Sequence, residues 1–242
     1  LKPNNPSRRT LLVAAAGATL AFAASSLAFA ATEVPPPPKT LKASETAIIL
    51  IDFQGNFVNP NGTWYGKFKA QYDKGMLENV VKTVDAARAK GVWIVHATEG
   101  YTQDYRELDT SNPGGFHRGQ LLRQAWKIGS PEAAYYPPLV PKPEYRDLVL
   151  PPRIQVSAFG GTGLNEILRS KGIKNVAIAG FTTDVCNYAT TLAAYDLGYH
   201  VYALRESMLG FVDNVSEGLL AAIYPMWSVV IDNKPFVDMV QP

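Results

Sequence analysis

Cys186 is the only cysteine among the 242 residues, and it closes the segment Gly180-Phe181-Thr182-Thr183-Asp184-Val185-Cys186. The apolar run Val176 to Ala179 leads in, and a helix-like run from Asn187 to Tyr195 leads out. That order reads as buried strand, sharp turn and helix, with the thiol in the helix's first turn. Unpaired N–H groups and the helix dipole there favour thiolate, the form that attacks carbonyls. The competing reading of a lone cysteine is a buried, inert thiol. A second reactive group, Asp52, ends the apolar run Thr46-Ala47-Ile48-Ile49-Leu50-Ile51.

The elements that must bring these residues together read as a doubly wound α/β domain. Thr46–Ile51, Val92–Ala97, Asp147–Leu150, Val176–Gly180, Val201–Leu204 and Trp227–Ile231 have the unalternating apolar character of strands buried on both faces. Helical spacing predicts helices over Lys74–Lys90, Gln120–Trp126, Leu164–Lys171, the segment after Cys186, and Ser216–Tyr224. Strands and helices alternate, so the expectation is one domain with a mostly parallel sheet of about six strands and helices on both faces. In such sheets ligands bind at the carboxyl ends of the strands. Asp52 and Cys186 both lie just past strand ends and should face one crevice. The apolar tail Val229–Val240 suits a core or an interface equally.

Residues 1–30 read as an export signal. Ser7-Arg8-Arg9-Thr10 opens an apolar, alanine-rich run that ends in Ala28-Phe29-Ala30, a small-x-small cleavage pattern. Paired arginines before such a run resemble a twin-arginine signal, which implies a periplasmic protein. Residues 31–43, with Val34-Pro35-Pro36-Pro37-Pro38, read as a stiff linker, and the domain is expected over 44–242. The whole chain has 23 basic and 21 acidic residues; losing Lys2, Arg8 and Arg9 leaves 20 against 21. Neither a nucleic-acid patch nor a membrane anchor beyond the signal is expected, so the partner should be a small molecule. A single cysteine cannot form an internal disulfide, and stability must come from the core.

Three motifs, in order and on the expected elements, point to a family. Asp52-Phe53-Gln54-Gly55-Asn56-Phe57 follows the first strand, Ser157-Ala158-Phe159-Gly160-Gly161-Thr162-Gly163-Leu164 precedes a helix, and Gly180 to Cys186 forms the cysteine turn. The series resembles the isochorismatase-like cysteine hydrolases over about Thr46–Val230. The resemblance implies hydrolysis by an Asp–Lys–Cys triad at a carbon–nitrogen bond, or a related cleavage. It makes Cys186 the nucleophile and Asp52 its base, with an oxyanion hole from the N–H groups of Thr182 and Cys186 after a cis Phe181–Thr182 bond. At the lysine's position this chain has Arg153, which supplies charge but does not readily release a proton. A second reading therefore stands, a ligand-binding relative without a working triad.

Some relatives bind metal through a D-x-H pair and a further histidine. This chain has only His96, His117 and His200, so no metal or other cofactor is expected. His96 ends a strand and reads either as pocket-lining or as structural; His117 reads as a loop residue and His200 as a surface one. Asp184 and Thr162 read as helix caps, and Gly160–Gly163 as a turn without the lysine of a phosphate loop. A nucleotide-binding protein lacks its fingerprint here. Phe57 and Tyr188 are the substrate-contact candidates, with Trp64, Tyr101 and Phe159 near the same rim. The family resemblance suggests a dimer or larger assembly.

Overall fold

The computed structural model describes residues 38–242; the expected export signal and most of the expected linker lie outside them. Six strands, β2 (Thr46–Ile51), β3 (Trp93–Ala97), β4 (Asp147–Val149), β5 (Asn175–Phe181), β6 (His200–Leu209) and β7 (Val229–Ile231), form one sheet. Their order is β4-β3-β2-β5-β6-β7, and every neighbouring pair is parallel. The α/β fold expected from the apolar runs is the one observed.

The runs are unalternating because both faces are covered. Ile48, Leu50, Ala177, Ala179 and Leu204 face a layer built on α3 (Met76–Ala89) and α8 (Asn233–Met239). Ala47, Ile49, Ile51, Ile178 and Ala203 face the opposite layer, which holds α5 (Leu164–Ser170) and α6 (Cys186–Asp196). Successive side chains point to opposite faces, so each strand feeds both cores. Ile48, Ile49 and Ile51 have no exposed surface, and burial of each contributes roughly 1.5–3 kcal/mol.

The chain lays down β2, β3 and β4 in one direction, then returns to the other flank of β2 with β5 and proceeds outward. The order reverses between β2 and β5, which is where sheets of this kind open a crevice.

Several boundaries differ from the sequence reading. Leu41–Lys42 forms a short strand, β1, paired in parallel with β8 (Val240–Gln241), and Leu41, Ala43 and Val240 are buried. The folded unit thus takes in the end of the expected linker, because apolar side chains there find the C-terminal segment to pack on. The apolar tail belongs to the core, with Phe236 fully enclosed. Exposed Arg205 and Glu206 interrupt the apolar run of β6, which continues beyond them to Leu209. The helix expected over Gln120–Trp126 is α4 (Gly115–Arg123), and left-handed backbone at Gln124 and Trp126 prevents its continuation. Glycines at its start hide it from propensity. The C-terminal helical segment begins as α7 (Asp213–Gly218) and runs on through π and 3-10 turns to Met226. Two further helices, α1 (Gly55–Val58) and α2 (Tyr65–Tyr72), have no periodic apolar signature. Among the described residues no helix is long and apolar enough to cross a membrane.

Candidate active site

Asp52 is the first residue past β2. Its φ of 55° lies in the left-handed region, and its N–H donates to Ala97 O at 3.1 Å across the end of β3. Aspartate is among the few side chains that enter this region readily. On the other flank Gly180 of β5 has φ 130°, and a Cβ there would stand 1.9 Å from Ile51 O. Only glycine lets β5 press against β2 where both reactive residues leave the sheet. The Phe181–Thr182 peptide is cis. Thr182 O then accepts from Val185 N and Asn187 N, each at 3.1 Å, and α6 begins at Cys186. Among the described residues neither Thr182 N–H nor Cys186 N–H finds an acceptor, so both are free to bind an oxyanion.

Reactive atoms of Asp52, Glu99 and Cys186 all lie within 4.8 Å of one another, and all three side chains are buried. Arg153 joins them: Nη2 donates to Asp52 Oδ1 at 2.7 Å and Oδ2 at 2.6 Å, and Nη1 donates to Gln155 O at 2.6 Å. Arg153 is placed by a backbone bridge, its N–H donating to Thr98 O at 2.9 Å and its carbonyl accepting from Gly100 N at 3.2 Å. The three donor atoms are close enough to share a cation, and Arg153 already supplies the positive charge there.

Burial governs the protonation of this cluster. It raises the Asp52 carboxyl above its ordinary value, with Arg153 opposing. It also raises the Cys186 thiol well above the ordinary range, helped by the neighbouring Asp52 and opposed by Arg153. Burial and the neighbouring carboxylate thus oppose the thiolate that the helix N-terminus favours. A helix terminus contributes about 0.3–1 kcal/mol, less than one pKa unit at 1.36 kcal/mol, while enclosure beside a carboxylate costs more.

Glu99 was not singled out by the sequence reading. It lies just past β3, as Asp52 lies past β2, so the strand-end rule that found Asp52 also reaches it. Gln54 grips its backbone on both sides: Gln54 Nε2 donates to Glu99 O at 2.8 Å and Gln54 Oε1 accepts Glu99 N–H at 2.9 Å. Tyr101 OH donates to Glu99 Oε1. Burial, and then the charge of Asp52, push the Glu99 carboxyl up to about 8.

Asp52, Glu99, Thr182 and Cys186 floor a cavity of about 260 Å³ whose walls include Phe57, Trp64, Phe116 and Phe211. Phe57 stacks on Phe181 with ring centroids 4.6 Å apart, so it serves core and cavity together. From α4, Arg123 lies over the Trp64 ring and Gln120 presents a buried Oε1 with no partner among the described residues. Tyr188 is a correction. At 100° per residue it sits about 200° around α6 from Cys186, so its ring packs 5.7 Å from that of Tyr224, away from the cavity. Asp184 is also reassigned: its carboxylate accepts Phe211 N–H at 3.3 Å rather than capping α6. Thr162 does act near a helix start, accepting Leu164 N–H at 3.2 Å. His96 is structural, 3.0 Å from Asp147 Oδ2. His117 belongs to α4 and bonds Ile154 O, and His200 is exposed at the start of β6.

Known proteins resemble this chain to different depths. The chain is 30% identical over 183 residues to ureidoacrylate amidohydrolase RutB of Rhizobium rhizogenes, covering 71% of this chain and 73% of that protein. The corresponding protein of Agrobacterium fabrum is also 30% identical, over 71% of this chain and 79% of its own. A cysteine hydrolase from Pseudomonas syringae pv. phaseolicola 1448A superposes with a TM-score of 0.71 at 21% identity, over 82% of this chain and 93% of that one, and so shares the fold. The sequence profile of the Isochorismatase domain matches residues 46–234, from the first residue of β2 into α8. By that match, spanning the sheet and every residue of the buried cluster, this chain belongs to the isochorismatase family and is a hydrolase of that type.

Proposed function

We propose that this protein is a cysteine amidohydrolase that cleaves a carbon–nitrogen bond of a small amide, ureido or carbamoyl compound through a thioester. The observation that carries the reading is the juxtaposition of a buried carboxylate, a thiol and two unpaired N–H groups on one cavity floor. Similarity to ureidoacrylate amidohydrolases supports the substrate class.

The raised thiol does not attack as a preformed anion. Asp52 takes the Sγ proton as sulfur adds to the carbonyl carbon, and Thr182 and Cys186 N–H groups bind the oxygen as it gains charge. Loss of one such donor typically costs about 3 kcal/mol of barrier. Arg153 holds Asp52 in place and offsets its charge. The carbon–nitrogen bond then breaks, the nitrogen departs with a proton, and water resolves the thioester. Aromatic walls exclude solvent, which strengthens every charge interaction on the floor.

A screen of small amides, ureas and carbamates for ammonia release tests this. Turnover should vanish in Cys186→Ala, and iodoacetamide labelling of Cys186, faster as pH rises, should track loss of activity. Native turnover in Cys186→Ala would refute the nucleophile. Binding of such compounds with no release would make the protein a ligand-binding relative whose triad fails at Arg153.

Export is proposed on the Arg8-Arg9 pair and the run ending at Ala30. Fractionation should place the protein in the periplasm, and Arg8→Lys/Arg9→Lys should hold it in the cytoplasm.

A further inference from the structure

We propose that Glu99 is a second catalytic acid–base in this site, serving the leaving nitrogen and the incoming water while Asp52 serves the sulfur. The proposal rests on the thioester reading above and adds a residue to it.

Three observations carry it. Glu99 lines the cavity floor with a carboxylate oxygen within 4.8 Å of both Cys186 Sγ and the Asp52 carboxylate. Oε1 is taken by the Tyr101 hydroxyl, and among the described residues Oε2 has no hydrogen-bond partner, which leaves it open to the cavity. Gln54 fixes the backbone of Glu99 from both sides and Tyr101 holds one oxygen of its carboxyl.

The charge count points the same way. Asp52, Glu99, Arg153, Cys186 and Tyr101 face one another, and Arg153 is the one cation among them. One guanidinium balances one carboxylate, and Asp52 receives it through two short contacts. The second buried carboxyl is then held as the acid, because two adjacent charges in so dry a place repel. Tyr101 remains a neutral hydroxyl, since burial raises its value. Arg153 cannot act as the acid, because a guanidinium does not give up its proton.

The proton balance closes over one cycle. Asp52 takes the thiol proton as the S–C bond forms and the carbonyl pair moves to oxygen. That pair returns as the C–N bond breaks, its electrons leave on nitrogen, and Glu99 donates its proton there. Glu99, now ionised, removes a proton from water as the new C–O bond forms. The thiolate is expelled and is reprotonated by Asp52, which restores every group.

The test uses Glu99→Gln, whose amide oxygen can keep the Tyr101 contact. On a small amide or ureido substrate, kcat should fall about 100-fold or more with KM little changed, the usual scale of a lost acid–base. Native kcat should decline as pH rises through the Glu99 value, since the acid form is needed, and Glu99→Gln should lose that decline. With 4-nitrophenyl acetate, whose leaving group departs unprotonated, the acylation burst at Cys186 should survive in Glu99→Gln; above about pH 8, where native Glu99 is already ionised and can take a proton from water, later turnover should slow in Glu99→Gln. Amide hydrolysis at the native rate in Glu99→Gln, or loss of the burst in folded protein, overturns the proposal. If Glu99→Gln does not fold, Tyr101→Phe serves: loss of the hydroxyl should move the alkaline decline to higher pH, and an unmoved decline overturns the proposal. If native protein shows no acylation at all, the thioester reading fails separately. Glu99 is then judged by infrared difference spectra, where a carboxylic acid band at neutral pH that disappears in Glu99→Gln supports it, and absence of that band refutes it.

Discussion

Arg153 holds Asp52 through a single nitrogen, Nη2, set 2.7 Å from Oδ1 and 2.6 Å from Oδ2, while Nη1 is committed to Gln155 O. The two side chains are 0% and 1% exposed. A pair this enclosed is dangerous to halve, because the survivor is a charge without water or partner. Arg153→Met should therefore destabilise the fold by about 3–5 kcal/mol, read as a lower denaturant midpoint. Adding Asp52→Asn should recover most of the loss. A single mutant as stable as the native protein would show that the pair contributes nothing to folding.

The same pair sets the acid limb of activity. Asp52 must be ionised to receive the thiol proton, and burial raises its carboxyl above the ordinary 3.8, with Arg153 opposing. As pH falls through that raised value the base is lost, so kcat/KM should decline at a pH above the usual aspartate range. A milder variant, Arg153→Lys, keeps the charge and should leave the limb nearer its native place than Arg153→Met does. A limb at or below 3.8 would remove Asp52 as the base.

Gly180→Ala should be among the most damaging small changes in the chain. Its Cβ would fall 1.9 Å from Ile51 O, on a backbone at φ 130°. A loss of more than about 4 kcal/mol, or failure to fold, is expected. Gly66→Ala is the control: it lies within α2 with nothing within 4 Å of the added carbon. There a gain of about 0.5–1 kcal/mol is expected. Equal effects of the two changes in thermal melts would sink the close-approach argument.

What could be read in advance depended on the kind of signal. The sheet was legible because strands buried on both faces have unbroken apolar runs, and the reversal between β2 and β5 put Asp52 and Cys186 side by side, as strand-end geometry requires. Phe57 was found because it follows Asp52 closely. Tyr188 was misplaced because closeness in sequence to Cys186 does not fix the face of α6. Glu99 was hidden by a polar, loop-like context, although Gln54 of the first motif is what anchors it. The state of the thiol was illegible for a different reason. A helix terminus is visible in sequence, but the degree of enclosure around it is a tertiary property.

Away from the cavity, Asp147 ties β4 to α3 and β3. Its Oδ2 accepts Arg88 Nη2 at 2.6 Å and Lys142 N at 2.9 Å, with His96 Nε2 at 3.0 Å. Burial pushes its carboxyl upward, yet the bonds from His96, Arg88 and Lys142 outweigh this and bring it to about 2. A folded value below the unfolded one means the stability is present above about 3.8 and lost as pH falls toward 2. That contribution is on the order of 2 kcal/mol. Asp147→Asn should lower stability at neutral pH and flatten its dependence between pH 4 and 2, as followed by urea titrations. An unchanged slope would refute the assignment.

Arg153 has one more chemical consequence. A primary amine lying against an activated acyl or carbamoyl sulfur can capture that group and become permanently blocked as an amide or urea. The guanidinium, driven further toward its protonated form by Asp52, has no lone pair to offer and is a poor trap. An enzyme built this way would resist self-modification during long use, and its reactive carbonyls would be left for water alone.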